Sequence, residues 1–175
     1  MSINLPDLIQ YGGDWEKYEE QLYEIFKKDF LDSSPYLKKD LPVKIIKEPK
    51  FKGKEWSFWH LTSKGKIESE REPDLRKCER LAWIKPIIES FPDCEIKAWP
   101  VQRGREVRVC LCYGDWEYLV VLKKVLSGFM LITTHPIEYQ NTKLKLKKQY
   151  ESYLKSKKAK TAFEGGIATP STHGR

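Results

Sequence analysis

The sequence predicts an α+β fold, with an N-terminal helix, a central antiparallel sheet of about 4–6 strands carrying helices on one face, and a basic C-terminal helix. Two observations lead to it. Aromatic and apolar residues recur at helical spacing near residue 20 and again after residue 141. Between them, four short β-rich segments follow one another across tight turn signals, Arg103-Gly104, Gly114-Asp115 and Ser127-Gly128, which implies antiparallel neighbours.

The elements read in order as follows. Asp14 offers an N-cap, and Trp15, Tyr18, Leu22, Ile25 and Phe26 make one stripe of a helix over 14–28. Ser33, Ser34 and Pro35 end it, Lys38 and Lys39 lie in a connection, and Val43 to Ile46 is a short strand. Glu55 to Thr62 reads as a strand by its aromatic and β-branched content, with Trp56, Phe58 and His60 on one face. A polar loop follows, and Pro73 and Asp74 open a helix over 74–85. On it Arg76, Arg80 and Trp83 share a stripe, Leu75, Ala82 and Ile84 serve a packed side, and Pro86 ends or kinks it.

The strands then read as 95–101, 106–113, 117–123 and 129–134. In the second, Val107, Val109, Leu111 and Tyr113 share one face and Arg108, Cys110 and Cys112 the other. The last is apolar on both sides until Thr133, as expected of a central strand. Asn141 is the expected N-cap of a helix over 142–156, with Leu146, Tyr150, Tyr153 and Leu154 on its buried stripe and lysine elsewhere. The domain is therefore expected over 1–156, with 157–175 a basic, disordered tail.

The chain of 175 residues is 40% hydrophobic and 33% charged, which suits one folded domain rather than a disordered chain. Its net charge of +7 favours an anionic partner. No apolar run approaches the roughly 18 residues of a membrane helix, and the first residues lack the pattern of a secretory signal, so a cytoplasmic protein is expected. Four cysteines without paired spacing read as reduced thiols, mostly buried; no metal and no cofactor are expected.

The stretch from Trp56 to Trp83 concentrates the unusual chemistry. His60 titrates near neutral pH, while Arg71, Arg76 and Arg80 are fixed cations suited to phosphate. The plainer alternative has His60 capping a core edge and the arginines paired to Glu72 or Glu79 or packed over Trp83. Helices on one sheet face would leave the opposite face for a ligand.

FWHLTS, the RxPDLRKCERxxW segment, the strand meander and LITTHPI followed by a basic helix resemble the metal-independent ribonucleases of the barnase, EndoU, colicin and RelE superfamily, in its phage- and toxin-associated branch. The similarity spans about residues 15–155. The resemblance implies an endoribonuclease in which the 2′-hydroxyl attacks the adjacent phosphate to leave a 2′,3′-cyclic end. It implies His60 as proton carrier, Arg76 and Arg80 as phosphate clamp and Thr133 as a donor to phosphate oxygen. Arg71, Arg108, His135, Trp83 and Tyr139 are the substrate-binding candidates, the last two by stacking an unpaired base. His135 has a structural alternative in the turn before Pro136, and His173 is set aside. Among the carboxylates, Glu70, Glu72 and Glu79 are all open as partners. RNA is the expected partner, with an acidic antitoxin or inhibitor protein implied for a toxin. The alternative from another class is a non-catalytic RNA-binding or partner-binding protein using the same basic and aromatic face.

Overall fold

A computed structural model describes residues 2–93 and 95–166, the side chains of 159–166 excepted. Cys94, His173 and the last part of the expected tail lie outside the described residues. The chain forms two compact units, Met1–Glu138 and Tyr139–Arg175.

In the first unit, α1 (Trp15–Phe26) begins where the Asp14 carboxylate accepts the Lys17 N–H at 3.2 Å. Tyr18, Leu22 and Phe26 recur every fourth residue and are buried, and one π-helical turn, Lys27–Leu31, extends the helix far enough to bury Phe30. β1 (Tyr36–Leu37) turns through Lys38 and Lys39, both at positive φ, into β2 (Leu41–Lys44).

The segment expected as a strand is a helix, α2 (Trp56–Thr62). Aromatic content argued for β structure, but burial follows the helical repeat: Ser57, Phe58, Leu61 and Thr62 are buried, and Trp56, Trp59 and His60 are half-buried. At seven residues the helix is too short to hold itself together, and its ends are satisfied by tertiary partners. The N–H groups of Trp56 and Ser57 donate to the carbonyls of Lys47 and Ile46 at 3.2 and 3.0 Å, and the Ile46 N–H donates to Ser57 Oγ at 2.8 Å. At the far end, the Asp74 N–H donates to Thr62 O at 2.9 Å and Cys78 Sγ contacts the same carbonyl at 3.2 Å.

β3 (Ser63–Lys64) and β4 (Glu72–Pro73) form a two-stranded ribbon closing the polar loop. The helix expected over 74–85 is divided. Asp74 caps α3 (Leu75–Glu79), the backbone leaves helical geometry at Arg80, a 3-10 turn spans Leu81–Trp83, and α4 (Ile84–Ser90) follows with Pro86 in its first turn. Pro86 therefore fits the start of a helix rather than ending one. Leu75, expected on the packed side, is 44% exposed, whereas Leu81, Ile84, Ile87 and Ile88 are fully buried.

β5 (Ile96–Arg103), β6 (Glu106–Tyr113), β7 (Tyr118–Val125) and β8 (Gly128–Pro136) make the expected antiparallel meander. The six-stranded sheet has the order β1-β2-β8-β7-β6-β5, so β8 is internal as its apolar sequence requires. The sheet is mixed, because Val43 and Lys44 of β2 pair in parallel with Phe129 and Met130. Gly128 makes the approach possible, since a Cβ there would collide with Pro42 O.

The core lies between helices and one sheet face: Leu22, Phe26, Phe58, Leu61, Ile84 and Ile87 meet Leu111, Tyr118, Val120, Leu122 and Leu131. The opposite face is not the open ligand surface expected. Trp99, Cys110, Cys112, Leu119 and Val121, which register places on that side, are all buried.

In the second unit, α5 (Gln140–Gly166) is longer than expected at both ends. The Lys143 N–H donates to Tyr139 O at 3.0 Å, so Asn141 is already inside the first turn. The helix continues past 157, where a tail was expected; Lys157, Lys158, Ala159 and Lys160 are good helix formers that carry it on. Leu146 is buried, and Lys145, Lys148, Lys155, Lys157 and Lys158 are exposed. Among the described residues no helix is long and apolar enough to cross a membrane.

Candidate functional site

A cleft of about 620 Å³ opens in the first unit between α1, the 49–52 segment, α2 and the loop that β3 and β4 close. Its walls are aromatic, with Trp15, Phe51, Trp56 and Trp59, its charges are Lys50, Lys52, Arg71, Glu19 and Glu68, and His60 is its one imidazole. Aromatic walls with polar groups converging among them are a usual composition of a ligand site.

His60 lines this cleft from α2. Helical geometry sets it one turn after Trp56, and the two rings stack with centroids 3.4 Å apart and planes at 15°. Its Nε2 stands 2.9 Å from the Glu68 carboxylate, while the imidazole side chain keeps 13% exposure. With Nε2–H donating to Glu68, the lone pair of the neutral ring falls on Nδ1. Burial holds the His60 pKa below its ordinary value; the hydrogen bond to Glu68 opposes this, and the Arg71 cation and Lys77 add to the lowering. A pKa below the ordinary histidine value leaves the ring neutral at neutral pH.

Glu68 is not one of Glu70, Glu72 and Glu79, the carboxylates left open as partners by the sequence. It lies eight residues beyond His60 across a turn, so neither strand alternation nor helix spacing relates the two. Recognising α2 as a helix that runs into a tight ribbon is the only route by which the sequence points to it.

Arg71 reaches the cleft wall but is heavily engaged. Its Nε donates to Ser63 Oγ at 2.9 Å, Nη1 to Gly65 O at 2.8 Å and Nη2 to Ser63 O at 2.9 Å. Three of the five guanidinium donors thus hold the loop closed, and the other two form no hydrogen bond among the described residues. Glycine suits this position, because its φ of 137° is one that L side chains rarely adopt and a Cβ would sit 3.2 Å from the Arg71 Cα.

Beneath the cleft floor is a buried cation that the sequence reading passed over. Lys77 is 4% exposed, and its Nζ donates to His60 O at 2.5 Å and Ser63 O at 3.0 Å, neutralising the carbonyl end of α2. Burial first, and Arg71 second, pull its pKa down to about 8, with Asp74 and Cys78 opposing. Between about pH 8 and its unfolded value the unfolded chain binds the extra proton, so the penalty for burying this ammonium is relieved as pH rises. In urea denaturation, wild type should gain on the order of 1–2 kcal/mol relative to Lys77→Met between about pH 7 and 9.5. Parallel pH profiles for the two proteins would exclude a buried, charged Lys77.

The other predicted residues are placed elsewhere. Arg76 is exposed and paired with Glu138, and Arg80 is paired with Glu79, donates to Arg76 O at 3.1 Å and lies 5.3 Å over Trp83. Neither lines the cleft, and the break at Arg80 removes the continuous stripe that was expected. Trp83 donates its indole N–H to Pro6 O at 2.8 Å and packs edge-on against Tyr113 and Tyr118, so it is partly buried against the core and engaged with the protein itself. Arg108 sits on β6 facing Lys123 and 3.4 Å from Glu106, outside the cleft. Tyr139 is 73% exposed at the start of the second unit.

Thr133 and His135 do share one face of β8, on either side of the buried Thr134, but neither lines the cleft. His135 nevertheless lies close enough to Lys77, Asp74 and Arg71 to feel their charges. The protein around the ring and the Lys77 cation hold its pKa below the usual histidine range, with Arg71 adding and Asp74 opposing, although the residue keeps an exposed surface. Cys78, Cys110 and Cys112 are free and buried, as expected, and burial pushes each thiol pKa up.

No family model, curated protein or solved structure matches the chain. The superfamily resemblance accordingly has only the residues themselves behind it.

Proposed function

We propose that the chain is a metal-independent endoribonuclease that cuts RNA at the cleft beside α2, with His60 and Glu68 as its proton-handling pair. The observation that carries this reading is the neutral, carboxylate-paired His60 in the wall of an aromatic, cation-bearing cleft.

On this reading His60 Nδ1 removes the 2′-hydroxyl proton as O2′ bonds to the adjacent phosphorus. The P–O5′ bond breaks, the departing O5′ takes a proton from water, and a 2′,3′-cyclic phosphate is left. Glu68 orients the ring and stabilises the imidazolium that forms, as a carboxylate does when it accepts the other ring N–H of a general base. Lys52 and the two remaining donors of Arg71 are the cations available to the phosphorane.

Single-stranded RNA incubated with the protein in excess chelator should be cut to products ending in a 2′,3′-cyclic phosphate. RNA left intact by folded protein would overturn the enzymatic reading. One observation favours the non-catalytic alternative: Arg76 and Arg80, the expected clamp, are paired with carboxylates outside the cleft. Tight binding without cleavage is the result that alternative requires.

A further inference from the structure

Residues 51–54 form a tight hairpin. Phe51 and Lys54 exchange both backbone hydrogen bonds at 3.0 Å, and Lys52 and Gly53 take φ of 47° and 73°, the pattern of a type I′ turn. The indole N–H of Trp59 donates to Phe51 O at 2.9 Å and fixes the hairpin against α2. The device holds out an aromatic ring: Phe51 is 60% exposed, touches Trp59 edge-on at 5.5 Å and lines the cleft. A large apolar side chain displayed on a rigid turn contributes little to a core, but it is preorganised for a flat ligand.

The charges around it define the ligand further. Of the three lysines nearest in sequence, Lys50 lies 3.5 Å from Glu55, and Lys54 lies 2.9 Å from Glu19 and 5.8 Å over Trp59. Lys52 stands 5.4 Å over Phe51 and forms no ion pair among the described residues. A flat apolar face flanked by an unpaired ammonium matches an unpaired nucleobase and its own phosphate. Duplex RNA, with its bases stacked inside, cannot offer such a face.

We infer that Phe51 is the stacking platform for one unpaired base of a single-stranded RNA, with Lys52 on the neighbouring phosphate. The inference takes RNA as the ligand of this cleft from the functional reading above, and it adds the strand selectivity and the residue that confers it.

The test is fluorescence-detected binding of an uncleavable 2′-O-methyl RNA hexamer to the full chain. Phe51→Ala should weaken binding about 10-fold, within the range found for base stacking, and Phe51→Trp should restore it. Phe51 is exposed enough that truncation leaves the core intact, and near-ultraviolet circular dichroism checks this. A hexamer series with one abasic site should include a position that costs wild type the same factor and costs Phe51→Ala nothing more. A blunt duplex of the same length should bind markedly more weakly than the single strand. Unchanged affinity in Phe51→Ala, or equal affinity for duplex and single strand, would overturn the inference, as would failure of wild type to bind the hexamer. Because the hexamer cannot be cut, these outcomes are independent of catalysis. Binding through Phe51 without any cleavage of ordinary RNA would remove the ribonuclease reading and leave this one, and cleavage indifferent to Phe51 would do the reverse.

Discussion

His60→Ala is expected to slow RNA cleavage by about 10²- to 10⁴-fold, the usual contribution of a positioned acid or base, while affinity for an uncleavable strand changes far less. In the proposed mechanism the neutral imidazole is the working form, so kcat/KM should rise with pH through the pKa of His60 and level off above it. Burial sets that limb below the ordinary histidine value of about 6.5, against the pull of Glu68 and with the help of Arg71 and Lys77. Glu68→Gln removes the group that raises the pKa, so the limb should move to still lower pH as the rate falls. Retained turnover in His60→Ala would remove it from the chemistry. A limb unmoved in Glu68→Gln would separate the two residues functionally.

Phe58→Ala should cost about 3–5 kcal/mol of folding stability, read from urea denaturation. Phe58 is fully buried, edge-on to Tyr23 at 5.2 Å and to Phe26 at 5.5 Å, and it is the main anchor of α2 in the core. α2 has no side-chain N-cap and depends on its neighbours, so loosening this anchor also loosens His60, two residues on and on the opposite side of the helix. Phe58→Leu should recover much of the loss. A cost under about 1 kcal/mol for the alanine variant would mean that α2 is held by its end contacts alone.

The parts of the fold legible in the sequence were those specified locally. The Asp14 cap and the four-residue repeat of Tyr18, Leu22 and Phe26 suffice for α1, and short turn signals with alternating side chains suffice for β5 to β8. What escaped depends on partners far along the chain. WSFWHLT has the aromatic content of a strand, and it is helical because carbonyls of residues 46 and 47 and groups of residues 74 to 78 satisfy its ends. The parallel pairing of Val43 with Phe129 joins segments that no local rule relates.

The site was legible to the same degree. His60 and Arg71 could be singled out by residue chemistry, and both line the cleft. Treating residues 55–62 as a strand hid the Trp56–His60 stack, which needs the four-residue helical repeat. Glu68 and Lys77 reach His60 only through the folded loop and the packing of α3 beneath α2. Arg76, Arg80 and Trp83 looked like a clamp because they are cationic and aromatic. They are consumed by Glu138, Glu79 and the core, the commoner fate of such groups.

Isotope-labelled protein titrated with the uncleavable RNA hexamer and followed by NMR locates the bound strand directly. The indole signals of Trp56 and Trp59 and the imidazole signals of His60 should shift together and saturate at one affinity. Saturable binding that leaves all three unmoved, with shifts confined to lysines between 143 and 158, would contradict the cleft beside α2 as the RNA site.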